Sequence, residues 1–181
     1  STRQVYGLEK FQTEKSQTIP VSQYGYNKLR VENEVINILG HDRVLILRCS
    51  NIFGLEVGRK TFMGLMSSSL LEKNGIYFDF PKGTKKDFLP IKDFVQILCD
   101  LICGDLSGIL NLGSGIGIDC EKVAKALCHG YGSGEIFYNN KKLQEDFVLN
   151  ISKIRQLIQY PSINESTVLS YIEEIGRQLR H

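Results

Sequence analysis

No stretch of this 181-residue chain is apolar for long enough to span a bilayer, and its opening residues carry no signal-peptide pattern. The expectation is a soluble, cytoplasmic protein with no membrane partner. Histidine is scarce and scattered at His41, His129 and His181, so a zinc site has nothing to build on. The five cysteines, at 49, 99, 103, 120 and 128, are odd in number and contain no C-x-x-C pair, which reads as buried thiols in a reducing compartment. Net charge is only +2 and the adjacent lysine pairs are Lys85-Lys86 and Lys141-Lys142, too little for a nucleic-acid footprint. Repeats and low-complexity stretches are absent as well.

What is present is an alternation of helix and strand. Hydrophobic residues make up 42% of the chain, enough for one sizeable core and a small second lobe. Residues 23 to 39 form an amphipathic pattern stopped by Gly40, a natural residue for leaving a helix. Val44-Leu-Ile-Leu47 is a continuous apolar run of the kind found in buried parallel strands. Helices are expected over 60 to 73, 92 to 103 and 119 to 129, with short strands at 76 to 80, 87 to 91 and 110 to 112. Two further helices, near 151 to 158 and 165 to 179, flank Pro161. This layout predicts an α/β fold.

Within the first helix, Tyr24 and Lys28 stand at i and i+4 and so share a face. An ammonium beside a phenol favours the phenolate, which can then take a proton from a hydroxyl. Spacing alone would be a weak signal, because Tyr and Lys meet at this interval on many solvated helices. Its context is more specific. Ser1-Thr-Arg-Gln-Val-Tyr-Gly7 precedes it, Glu32 lies four residues after Lys28, and Arg48-Cys-Ser-Asn51-Ile-Phe-Gly54 follows. Further on come Gly83-Thr-Lys-Lys86-Asp87-Phe-Leu-Pro-Ile-Lys-Asp93, Leu110-Asn111-Leu-Gly113-Ser-Gly115 and Leu149-Asn150-Ile-Ser152-Lys153. In this order the segments resemble the extended short-chain dehydrogenase/reductase family, the nucleotide-sugar epimerases, dehydratases and reductases.

The resemblance implies the C-terminal part of a Rossmann-type doubly wound parallel sheet with a small, interleaved substrate-binding lobe. Residues 1–54 and 92–116 would belong to the sheet domain, 55–91 and 117–181 to the lobe. It implies NAD or NADP as cofactor and a nucleotide-diphosphate sugar as substrate, and is compatible with a homodimer. Tyr24 would be the acid/base, Lys28 would activate it and donate to the nicotinamide ribose, and Thr2 would orient the reacting oxygen. Ser50 stands where relatives approach the nicotinamide carboxamide. Asn51 would donate to the substrate's phosphates or else close its turn on its own backbone. Lys86 replaces an arginine that grips the diphosphate, keeping the charge and losing the bidentate fork. Asp93 is expected to cap the helix that follows it.

The glycine-rich turn that holds a dinucleotide pyrophosphate at a helix N-terminus in this family has no counterpart in the sequence. Gly113-Ser-Gly115-Ile-Gly117 is not it, since the third glycine of G-x-G-x-x-G would fall at Ile118 and no acidic residue follows at the right distance. The chain is therefore expected to be a fragment or a truncated gene product, inactive alone and binding NAD or NADP weakly if at all. Arg3 and Gln4 stand where sugar 4,6-dehydratases of the family carry acids, which favours epimerisation or ketone reduction. A non-catalytic binding or assembly module is the alternative.

Overall fold

The computed structural model describes residues 1–180, and His181 lies outside the described residues. In chain order the elements are a 3-10 turn at Arg3–Val5, β1 (Phe11–Gln12), α1 (Gln23–Leu39), a second 3-10 turn at His41–Arg43, β2 (Leu45–Cys49) and β3 (Asn51–Phe53). There follow α2 (Phe62–Lys73), β4 (Gly75–Phe78), β5 (Lys85–Pro90), α3 (Ile91–Ile102), β6 (Gly108–Leu112), β7 (Gly117–Asp119) and α4 (Cys120–Tyr131). The chain then continues through β8 (Glu135–Tyr138), β9 (Val148–Leu149), α5 (Ser152–Leu157) and α6 (Glu165–Leu179). This is the α/β architecture expected from the sequence.

Parallel pairing dominates. Strand β2 runs beside β6 from Leu45 opposite Gly108 to Cys49 opposite Leu112, and Thr2 bridges to Cys49 in the same parallel sense. Strand β3 carries the chain on from β2 and pairs in parallel with β5, whose first half turns antiparallel to β7. Two smaller parallel pairs, β4 with β8 and β1 with β9, and a parallel bridge from Lys86 to Phe147 complete the pairing. The core lies where β5, β6 and β7 meet α2, α4 and α6, around Phe88, Leu112, Ile118, Leu127 and Ile172, each fully buried. Burying one such side chain contributes about 1.5–3 kcal/mol.

Helix ends follow local chemistry. Ser22 caps α1 by accepting from Gly25 N, and Asp119 caps α4 by accepting from Glu121 N. Asn164 and Thr167 form a reciprocal capping box on α6. Asp93 does not cap α3. Its N-cap is Pro90, with no side-chain cap, and Asp93 lies in the first turn, where the helix dipole and neighbouring Lys92 favour its charge while burial pushes its carboxyl up. The cysteines also depart from expectation: Cys120 and Cys128 are buried, Cys49 is partly so, and Cys99 and Cys103 are exposed. Ile97 and Leu101 face the core from α3, and a residue two positions on stands on the opposite side of a helix.

Candidate active site

The N-terminus of α1 is tied to the first turn by one hydroxyl. Ser22 Oγ accepts from Gly25 N at 3.1 Å and donates to Gln4 Oε1 at 2.8 Å. Gly25 completes the contact, because a Cβ there would overlap the Gln4 carbonyl oxygen. Tyr24 thereby lines the same cleft as Thr2, whose own Oγ1 accepts from Gln4 N at 3.3 Å. Tyr24 remains 53% exposed, open to a ligand. Lys28 lies on the same helix face, its Nζ 5.6 Å from the centre of the Tyr24 ring.

Thr2, Tyr24, Ser50 and Asn51 line one cleft of about 650 Å³. Ser50 and Asn51 reach it because β2 ends at Cys49 and the chain steps to β3, where Ser50 N donates to Leu112 O at 2.9 Å. Two polar atoms there, Ser50 Oγ and Asn51 Nδ2, are buried with no hydrogen-bond partner among the described residues. Leaving a buried polar group unpaired costs about 1–3 kcal/mol, so such groups mark where a bound polar molecule would complete the structure. Asn51 does not use its amide to close the turn. Cys49 also lines the cleft, and burial pushes its thiol up from the ordinary range.

Lys86 is not among the cleft residues. Its ammonium lies over the rings of Phe80 and Phe147, at 5.3 and 5.5 Å from their centres, and burial lowers its affinity for the proton. Phe80 in turn stacks on Phe62, which lines the cleft. The structure thus gathers Thr2, Tyr24, Ser50 and Asn51, keeps Lys28 next to Tyr24, and sets Lys86 one ring behind the wall. Sequence reasoning missed Gln4, Lys60, Thr61, Phe62 and Met63 as cleft residues. Phe88 stood inside a quoted motif, but the start of α2 offers no pattern that announces a wall.

The remaining motif residues form the frame. Glu32 accepts from Arg48 Nε at 3.1 Å and Nη2 at 2.7 Å, both side chains at most 5% exposed. The Arg48 guanidinium stacks 4.8 Å from the Tyr6 ring centre, and Tyr6 Oη donates to Asn111 Oδ1 at 2.6 Å. Asn111 Nδ2 then donates to the carbonyls of Gln12 and Asn150. Asp87, wholly buried, accepts from Ser114 N at 2.7 Å, Ser114 Oγ at 2.8 Å, Gly115 N at 3.1 Å and Leu149 N at 3.2 Å. Burial pushes its carboxyl up and the four donors work against that push. A Cβ on Gly113 would stand 2.7 Å from Asp87 Oδ2, and one on Gly115 would meet Ile151 at 2.8 Å. The N–H groups of Ser114 and Gly115 in this glycine turn are thus already engaged by the protein's own Asp87. Among the described residues there is no metal-binding cluster and no helix long and apolar enough to cross a membrane.

Solved structures with the same fold are numerous. A UDP-glucuronic acid 4-epimerase from Bacillus cereus, in complex with UDP-glucuronic acid and NAD, matches with a TM-score of 0.81 at 22% identity, covering 99% of this chain and 60% of its own. A UDP-N-acetylglucosamine 4-epimerase from Methanobrevibacter ruminantium matches with a TM-score of 0.81 at 16% identity, covering 98% and 60%. TunA, an NAD-dependent NDP-hexosamine 5,6-dehydratase of tunicamycin biosynthesis, matches with a TM-score of 0.80 at 22% identity, covering 98% and 62%. The chain thus has the Rossmann-type fold of these enzymes and spans about three-fifths of their length. Residues 1–113, which carry Thr2, Tyr24, Lys28, Ser50, Asn51 and Lys86, match the family described as NAD dependent epimerase/dehydratase, and to that family the chain belongs.

Proposed function

We propose that this chain supplies the acid/base and sugar-binding part of an NAD(P)-dependent epimerase or ketoreductase acting on a nucleotide-diphosphate sugar. The observation that carries the reading is the convergence of Thr2, Tyr24, Ser50 and Asn51 on one cleft in which two buried polar atoms lack partners. The Tyr24 phenol oxygen takes or returns the proton of a ring hydroxyl, with the Lys28 ammonium held over the same ring. Thr2 Oγ1 positions the reacting oxygen, and the free amide of Asn51 donates to a phosphate. NAD or NADP, when bound, supplies hydride transfer at the sugar carbon, and Tyr24, Lys28 and Ser50 are the residues here that would meet it. Arg3 and Gln4 follow Thr2 without an acid, which favours epimerisation or ketone reduction over elimination of water.

The test is turnover of UDP-hexoses with NAD, followed by product analysis, for the wild-type chain and Tyr24→Phe, each reconstituted with a dinucleotide-binding half, since this chain alone is expected to bind NAD weakly. The substitution removes the one oxygen that carries the proton and keeps the ring, so the loss should appear in kcat with KM nearly unchanged. A variant keeping more than about a tenth of wild-type kcat, under ~1.4 kcal/mol of transition-state stabilisation, would refute the role of Tyr24. Lys28→Met should lower kcat and also weaken cofactor binding, since its ammonium serves both partners.

A further inference from the structure

Gln4 lines the cleft two residues after Thr2, and its side chain is held by a single bond. Ser22 Oγ accepts from Gly25 N at 3.1 Å, so its one proton is left to point outward, and it is donated to Gln4 Oε1 at 2.8 Å. That bond fixes which end of the amide is which. With Oε1 turned to Ser22, which does not line the cleft, the atom the amide has left to offer is Nε2. Neither proton of that nitrogen has an acceptor among the described residues, although Gln4 is only partly exposed. The backbone is anchored as well: Gln4 N donates to Thr2 Oγ1 at 3.3 Å, and Gly25 packs on the Gln4 carbonyl so closely that a Cβ has no space. None of the lining residues is acidic, while Thr2, Tyr24, Asn51 and Lys60 each have a proton to give. The cleft is built to meet acceptors.

We propose that Gln4 is a specificity-determining residue of the sugar subsite, donating from Nε2 to a ring oxygen other than the one that Thr2 and Tyr24 handle. This rests on the nucleotide-sugar reading given above, in which Thr2 positions the reacting oxygen. Because Gln4 N is bonded to the Thr2 hydroxyl, the two side chains start from one place, and the longer amide reaches a different oxygen of the same sugar. Two points of attachment fix how the ring is presented to Tyr24, where one would let it turn. Ser22 is a positioning residue: it does not line the cleft, yet it keeps the amide from rotating its own oxygen toward the ligand. An amide held in advance loses little freedom when the sugar arrives.

UDP-glucose and UDP share nucleotide and diphosphate and differ by the sugar, so the ratio of their affinities reads sugar contacts. Titration calorimetry with both should show that ratio fall about five- to tenfold in Gln4→Met, the loss of one hydrogen bond, with UDP binding unchanged and so reporting an intact fold. Gln4→Glu keeps an oxygen for the Ser22 hydroxyl and replaces the donor by an acceptor, so its ratio should fall at least as far. A Gln4 that merely braced α1 would leave Gln4→Glu at the wild-type ratio, and that result overturns the proposal. Ser22→Ala frees the amide to turn and should lower the ratio about twofold, with no further effect in a Gln4→Met background. An unchanged ratio in Gln4→Met, whether both affinities hold or both fall, overturns the proposal, and so does a wild type that binds UDP but not UDP-glucose. If wild type binds neither, the nucleotide-sugar reading itself fails and this inference falls with it.

Discussion

Asp87→Asn replaces a buried carboxylate by a side chain of the same shape, so its effect isolates what the second oxygen does. In the native protein one oxygen takes both Ser114 donors and the other takes Gly115 N and Leu149 N. An asparagine turned to satisfy Ser114 presents its own N–H groups to the backbone donors of Gly115 and Leu149, and both of those bonds are lost. Hydrogen bonds to a charged group contribute about 1.5–3 kcal/mol each, or ~3–6 for two. Burying a neutral amide in place of a charge returns some of this, leaving an expected net loss of about 2–4 kcal/mol. That is a large share of a typical total of about 5–15 kcal/mol. Urea unfolding followed by circular dichroism should show the midpoint fall by about 1–2 M, given slopes of about 1–3 kcal/mol/M. A midpoint within about 0.3 M of wild type would refute the reasoning, because desolvation would then cancel the donors entirely.

Other substitutions probe the frame and the site separately. Gly25→Ala drives a Cβ into the Gln4 carbonyl, and since backbone cannot yield as a side-chain tip can, stability should fall by about 1–3 kcal/mol and kcat should drop as Tyr24 is displaced from Thr2. Glu32→Gln leaves the buried Arg48 guanidinium unneutralised and should cost about 3–5 kcal/mol in a thermal or urea melt, whereas Glu32→Leu with Arg48→Met should cost clearly less. Lys86→Met removes a cation whose affinity for its proton is lowered by burial below the ordinary lysine value of 10.5. The unfolded chain then binds the extra proton in the window below 10.5, so wild-type stability rises with pH there. The variant should be the more stable at neutral pH, with the two curves converging as pH approaches 10.5. Curves that stay parallel across that window would count against a desolvated Lys86.

Long periodic elements were legible and short ones were not. The pattern over 23 to 39 coincides with α1, because its start and stop are written locally in Ser22 and Gly40. Strands β3, β7, β8 and β9 hold two to four residues each and carry no usable period. Strand β8, for instance, exists because it pairs with β4, some 60 residues earlier in the chain. The cleft shows the same division. Tyr24, Thr2, Ser50 and Asn51 could be named from motifs, while the apolar wall from Phe62 and Met63 is placed by how α2 packs.

The motifs themselves sort into two kinds once their hydrogen bonds are counted. Glu32, Arg48, Tyr6, Asn111 and Asp87 are buried polar groups whose partners all lie within the protein. Each joins segments distant in sequence: α1 to β2, the first turn to β6, β5 to the turn after β6. Ser50 Oγ and Asn51 Nδ2 stand in the same stretch of chain yet have no partner among the described residues. A sequence pattern alone cannot distinguish these kinds, since both require a particular polar residue at a fixed place. Satisfaction separates them in part: groups paired inside the fold hold the fold, and among the described residues the buried unpaired atoms are Ser50 Oγ and Asn51 Nδ2, which line the cleft, and Gln12 Oε1 and Ser67 Oγ, which do not. The proposed chemistry accordingly draws on the cleft between Thr2 and Asn51, while the internally paired motif residues hold the elements that form it.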